Sequence, residues 1–157
     1  WTAEQCRRLD ADDDRGELKR DAAGDAEVLA VMRLFQESVT EMLEGAPPAS
    51  SFDGRTLATV LDDVRAMGRA ASMQEWGPDA RPLIRTATAS FHRRVLERGP
   101  IGDAVVRAWS WGERGSVKKA DREALAASAA ALRVSRGDVR DSGPLVAVID
   151  RMAKEAR

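Results

Sequence analysis

Cysteine, histidine and tyrosine are almost missing from this sequence of 157 residues, which has one Cys, one His and no Tyr. The single cysteine, Cys6, excludes a disulfide within the chain, so a reducing compartment is compatible. One Cys and one His also cannot supply a tetrahedral Cys/His zinc site. No apolar run approaches the roughly 18 residues that cross a bilayer. No Walker loop, dinucleotide fingerprint or nucleophile elbow occurs, so the motifs do not favour an enzyme.

The overall composition is that of one soluble domain covering residues 1–157, with 43% apolar and 32% charged residues. The formal net charge is −1, but residues 1–78 carry −7 and residues 79–157 carry +6. This asymmetry indicates a dipolar molecule, in which the acidic half and the basic half each favour a partner of opposite charge. Residue 1 is Trp rather than Met, so we expect a processed or truncated chain whose compartment the sequence does not reveal.

Apolar residues recur every three to four positions through most of the chain, which predicts an all-α fold of six or seven helices. Gly and Pro pairs separate the segments and mark helix ends. We expect a single-domain bundle, and the Ala-rich stretch 120–132 is one of its helices. The stripes that support the other main helices are Val28, Met32, Phe35, Val39 and Met42; Leu57, Val60, Leu61, Val64 and Met67; Ile84, Ala87, Phe91 and Val95; and Leu145, Val148, Ile149 and Met152.

An acidic segment near the start of the chain has the spacing of a calcium-binding loop. Its oxygen ligands would be Asp10, Asp12, Asp14 and Asp21, at positions 1, 3, 5 and 12 of a twelve-residue stretch. Two features depart from the pattern: Gly16 comes one place late, and position 12 is Asp rather than Glu.

A second stretch, Ser110 to Asp121, has Gly115 at position 6 and Asp121 at position 12 but lacks early ligands. Together, residues 3–21 and 106–125 resemble a degenerate EF-hand protein. The resemblance implies paired helix–loop–helix units that bind calcium or only partner helices. The alternative is a solvated acidic loop and an ordinary glycine turn between helices.

A third motif lies towards the C-terminus, where residues 129–140 resemble a helix-turn-helix. Arg136 and Arg140 would then face a DNA groove. Arg133 replaces the usual turn glycine, and the overall charge is close to neutral. Both departures count against nucleic acid as the partner of this chain.

Tryptophan placement indicates a contact surface instead. Trp109 and Trp111 stand two residues apart on a predicted helix, about 200° around its axis, so one should be buried and the other exposed. An exposed Trp beside Arg107 and Arg114 would anchor a partner protein. Trp76, before Gly77-Pro78, is expected to cover the end of the fold.

These observations lead to one main hypothesis and two alternatives. We interpret the chain as a non-catalytic helical adaptor, or a structural subunit of a larger assembly, that binds another protein and needs no cofactor. The first alternative is a calcium-responsive regulator that uses the EF-hand-like segments, with Ca²⁺ as its ligand. The second is a DNA-binding regulator. The only histidine, His92, is expected at the surface.

Overall fold

The computed structural model describes residues 22–45, 52–134, 139–140 and 142–155. Over these residues the fold is all-α, as the periodicity predicts, with six helices and one pairing of two very short strands. The first EF-hand-like stretch, residues 3–21, lies outside the described residues. The elements in chain order are α1 (Ala22–Gly45), β1 (Phe52–Asp53), α2 (Gly54–Met73), α3 (Ala80–Leu96), α4 (Pro100–Arg114), α5 (Lys119–Val134), β2 (Val139–Arg140) and α6 (Gly143–Glu155).

Helices α1 and α3 run side by side in the same direction. Near the start of both, the backbone N–H of Gly77 donates to the Asp25 carboxylate over 2.8 Å. Near their ends, Arg94 forms two hydrogen bonds with Glu44, at 2.7 and 3.1 Å. The stripe predicted from Val28 onward lies within α1, which ends at Gly45 as expected.

Helices α2 and α4 cross with their backbones in direct contact. A Cβ atom on Gly112 would overlap the carbonyl oxygen of Arg65 and lie 2.8 Å from the backbone nitrogen of Arg69. A Cβ on Gly68 would likewise overlap the carbonyl oxygen of Trp109. Only glycine permits this approach, because real Cβ atoms need more than 3 Å of clearance. The crossing fixes α4 in the centre of the fold.

Two glycines with positive φ bracket α4. Gly99 (φ 66°) precedes Pro100 at the first turn, and Gly115 (φ 72°) ends the helix in the left-handed conformation. Asp79 occupies the N-cap position of α3, but its side chain makes no capping hydrogen bond because the residue itself has helical φ and ψ.

The last helix, α6, lies parallel to α2. Each follows a two-residue strand, and these strands pair in parallel with Phe52 opposite Val139. Further along, Arg151 of α6 contacts Asp62 of α2 at 3.0 Å, and Arg133 of α5 pairs with Asp150.

The buried apolar side chains form a single cluster to which all six helices contribute. No helix in the described ranges is both long and apolar enough to cross a membrane. The largest fully buried side chains are Trp109, Met32, Leu43, Leu57, Leu125, Leu145, Ile149 and Met152.

Candidate functional site

The acidic calcium-loop candidate, Asp10, Asp12, Asp14 and Asp21, lies outside the described residues, and so does Arg136. Within the described part of the chain, no group of three or more His, Cys, Asp or Glu side chains is arranged to hold a metal ion.

The second EF-hand-like stretch, Ser110 to Asp121, is helical through Arg114 and turns at residues 115–118. Gly115 supplies the sharp turn expected of position 6. The position-12 carboxylate, Asp121, points back over this turn and accepts a hydrogen bond from the backbone N–H of Lys118 at 3.2 Å.

Arg107 and Arg114 are held by the chain itself rather than presented to a partner. Arg107 contacts Asp121 at 2.6 Å and Asp103 at 3.0 Å, and Arg114 contacts the other Asp121 oxygen at 2.8 Å. Ser128 also donates to Asp103. The charges of both arginines are therefore matched by partly buried carboxylates of the chain itself, and partner binding by these residues stays a prediction.

Trp109 and Trp111 are both buried, at 0% and 3% exposure, so the prediction of one exposed tryptophan is wrong. The faces of α4 that carry these two tryptophans are both covered, because α2 crosses directly over the helix. The guanidinium of Arg65 on α2 lies 3.4 Å from the centre of the Trp111 ring and covers it. Trp76, three residues after the end of α2, is also buried.

Arg140, the other candidate DNA contact, belongs to β2. The prediction that a recognition helix begins there is wrong, because Val139 and Arg140 pair with Phe52 and Asp53 instead.

His92 is half-buried rather than a surface residue. Its ring lies 5.7 Å from that of Phe91 and 6.4 Å from that of Trp109, measured between ring centres. Its Nε2 is buried without a hydrogen-bond partner among the described residues. Burial lowers the pKa of His92, because the charged form loses hydration there.

A surface cleft of about 220 Å³ lies between the end of α2 and the start of α3. From α2 it is lined by Ala71 and Ser72, and from α3 by Arg81, Ile84 and Arg85. The two arginines are four residues apart, so they lie on the same side of α3 and one turn apart. We call this site the Arg81–Arg85 cleft.

The remaining walls of the cleft are Trp76 and Glu113. The indole N–H of Trp76 donates to the carbonyl of Ala71 over 2.8 Å, so its ring edge is fixed in place. One carboxylate oxygen of Glu113 accepts the indole N–H of Trp109, also at 2.8 Å. The cleft therefore has an apolar floor and one carboxylate that already accepts a hydrogen bond.

Arg81 and Arg85 form no ion pair and no side-chain hydrogen bond with any residue that the structure describes. Both are exposed. They therefore offer ten N–H donors and two positive charges beside apolar surface. Sequence reasoning missed them, although one signal was present: neither has an acidic residue three or four positions away.

Comparisons with known protein families, with curated proteins and with solved structures give no match to this chain.

Proposed function

We propose that this protein is a non-catalytic helical interaction module, built as a bundle, that binds an acidic segment of a partner protein in the Arg81–Arg85 cleft. The observation that carries the proposal is that Arg81 and Arg85, which lie beside Trp76 and Ile84, form no ion pair with any described residue. Guanidinium groups bind carboxylates with two parallel hydrogen bonds, and the apolar floor gains from covering by an aliphatic side chain.

The size and chemistry of the cleft support a side-chain-sized ligand. A volume of about 220 Å³ is below the 300–1,000 Å³ that is usual for small-molecule and cofactor pockets. A cleft of this volume fits one or two side chains of an acidic segment that binds across the surface. Electrostatic attraction of this kind speeds association and selects partners more than it raises affinity.

The experiment is a titration of dilute protein with a fluorescent peptide that has two acidic residues and one leucine, with a matched Gln-substituted peptide as the neutral probe. We expect saturable binding of the acidic peptide that weakens with added salt, because surface charges are screened within about 10 Å at 0.1 M. Equal binding of the neutral peptide would contradict the proposal.

Variants that move the affinity in opposite directions make the test sharper. Arg81→Ala with Arg85→Ala should weaken binding roughly 2- to 30-fold, since each exposed ion pair contributes about 0.2–1 kcal/mol. Glu113→Gln should strengthen binding, because it removes a negative charge from the wall while its amide oxygen still accepts from Trp109. The control is Arg33→Ala with Arg93→Ala, which removes two exposed arginines that do not line the cleft. Control and cleft variants with the same affinity would contradict the proposal.

A further inference from the structure

The outward side of α1 carries a regular stripe of exposed residues. Their spacing of three, four, three and four places them on one side of the helix, opposite the side that packs on the core. At the centre stands Leu34, which is 63% exposed and is the most exposed large apolar side chain among the described residues. The stripe consists of Glu27, Ala30, Leu34, Glu37 and Glu41; we call it the α1 stripe.

The carboxylates of the α1 stripe are free to pair with another molecule. Glu27, Glu37 and Glu41 form no ion pair with the residues that the structure covers, whereas Glu44, which lies outside the stripe, is held by Arg94. The stripe therefore presents a leucine flanked by carboxylates that form no ion pair within the described part of the chain, with only a longer-range attraction between Glu37 and Arg94. The leucine complements the apolar floor of the Arg81–Arg85 cleft, and the carboxylates complement its two arginines.

The two surfaces also match in spacing. Glu37 and Glu41 are four residues apart on α1, as Arg81 and Arg85 are on α3, so each pair is separated by about 6 Å along its helix. With the two helices parallel, Glu37 meets Arg81 and Glu41 meets Arg85. Leu34 then lies one turn earlier, towards the apolar floor that Trp76 provides.

We propose that the α1 stripe of one copy of this chain docks into the Arg81–Arg85 cleft of a second copy. The inference rests on the proposed function, because it uses the same cleft and names an occupant for it. A chain cannot fill its own cleft in this way, since the buried side of α1 packs inward and its stripe faces away. The overall charge of −1 opposes such association very little.

Docking one surface onto a different surface leaves a free stripe and a free cleft at the two ends. Such a head-to-tail contact forms a ring where its rotation closes and otherwise extends into chains as concentration rises. One helix stripe and one small cleft bury less area than the roughly 1,200–2,000 Å² of stable complexes. The association is therefore weak and reversible.

The test is sedimentation of the full chain over a concentration series, with charge reversals on each surface. The wild type should exceed its monomer mass of 17.1 kDa as concentration rises. Arg85→Glu and Glu41→Arg should each lower the association constant at least about tenfold, because like charges then face each other. Mixing the two variants should restore association, since each supplies the surface that the other has lost.

Matched controls reverse exposed charges elsewhere: Arg93→Glu on α3 and Glu123→Arg on α5, which should associate like the wild type. Circular dichroism confirms that every variant keeps its helix content. A wild type that stays monomeric at the highest concentration, or a mixture that does not associate, would overturn the inference.

Acidic-peptide binding separates the two proposals. Glu41→Arg keeps the cleft and should bind the acidic peptide with wild-type affinity while failing to self-associate. Peptide binding without wild-type self-association overturns only this inference. A wild-type protein that does not bind the acidic peptide overturns both the proposed function and this inference.

Discussion

Replacing Gly112 with alanine tests the central packing contact of the fold, the crossing of α2 and α4. The added Cβ would overlap the carbonyl oxygen of Arg65 and lie 3.0 Å from its carbonyl carbon. These atoms are helix backbone, so they cannot rotate away as a flexible side chain would. The two helices must separate, and the contacts beside the crossing loosen.

The expected magnitude has two opposing parts. Overpacking against immobile neighbours costs typically 1–3 kcal/mol and occasionally more, and the upper end applies because the overlap is with backbone. The intrinsic helix preference of alanine over glycine offsets about 1 kcal/mol of that cost. We therefore expect Gly112→Ala to lower the free energy of unfolding by about 2 kcal/mol, which lowers Tm by about 4–8 °C in a domain of this size.

The assay is urea unfolding followed by circular dichroism, together with a thermal scan. Ala66→Gly, on the exposed side of α2, is the matched control because it reports the helix-preference part alone, as a loss of about 1 kcal/mol. A Gly112→Ala variant as stable as the wild type, or more stable, would refute the close crossing.

Two further predictions concern the charges around α4. Asp121→Asn should lower the free energy of unfolding by about 1–3 kcal/mol in urea titrations, because it leaves the partly buried guanidinium of Arg107 with only Asp103; no loss would contradict the assigned role. The pKa of His92 is lowered in the folded protein, whereas the same side chain has a pKa near 6.5 in the unfolded chain. As pH falls, the unfolded chain therefore binds the proton before the folded protein does. Stability should therefore be fully present above about pH 6.5 and fall as pH decreases below it. Relative to His92→Gln the wild type should lose stability from pH 7.5 to 5.5, whereas parallel profiles would contradict the burial of the ring.

The helices could be predicted from sequence because each has a continuous apolar stripe and ends at glycine or proline. The stripe from Val28 to Met42 lies inside α1, and Gly115 ends α4 in the left-handed conformation. These features are local, and local backbone preferences determine them.

The surfaces could not be predicted in the same way, because they depend on which helices cross. Trp109 and Trp111 point about 200° apart on an isolated helix, yet both are buried because α2 crosses α4 and Arg65 covers the Trp111 ring. The ion pairs of Arg107 and Arg114 with Asp121 do not follow from helix spacing, because only the turn at Gly115 brings Asp121 back to them. The Arg81–Arg85 cleft likewise exists only because the end of α2 lies beside the start of α3.

The most direct test of the proposed function is nuclear magnetic resonance of the labelled protein during titration with the acidic peptide. The indole N–H signals are readily distinguished in a chain with four tryptophans. We expect the signals of the Trp76 indole and of the backbone of Ala71, Ser72, Arg81 and Arg85 to shift, while the signal of the Trp111 indole does not change. Shifts confined to other surfaces, or no shifts at saturating peptide, would contradict it.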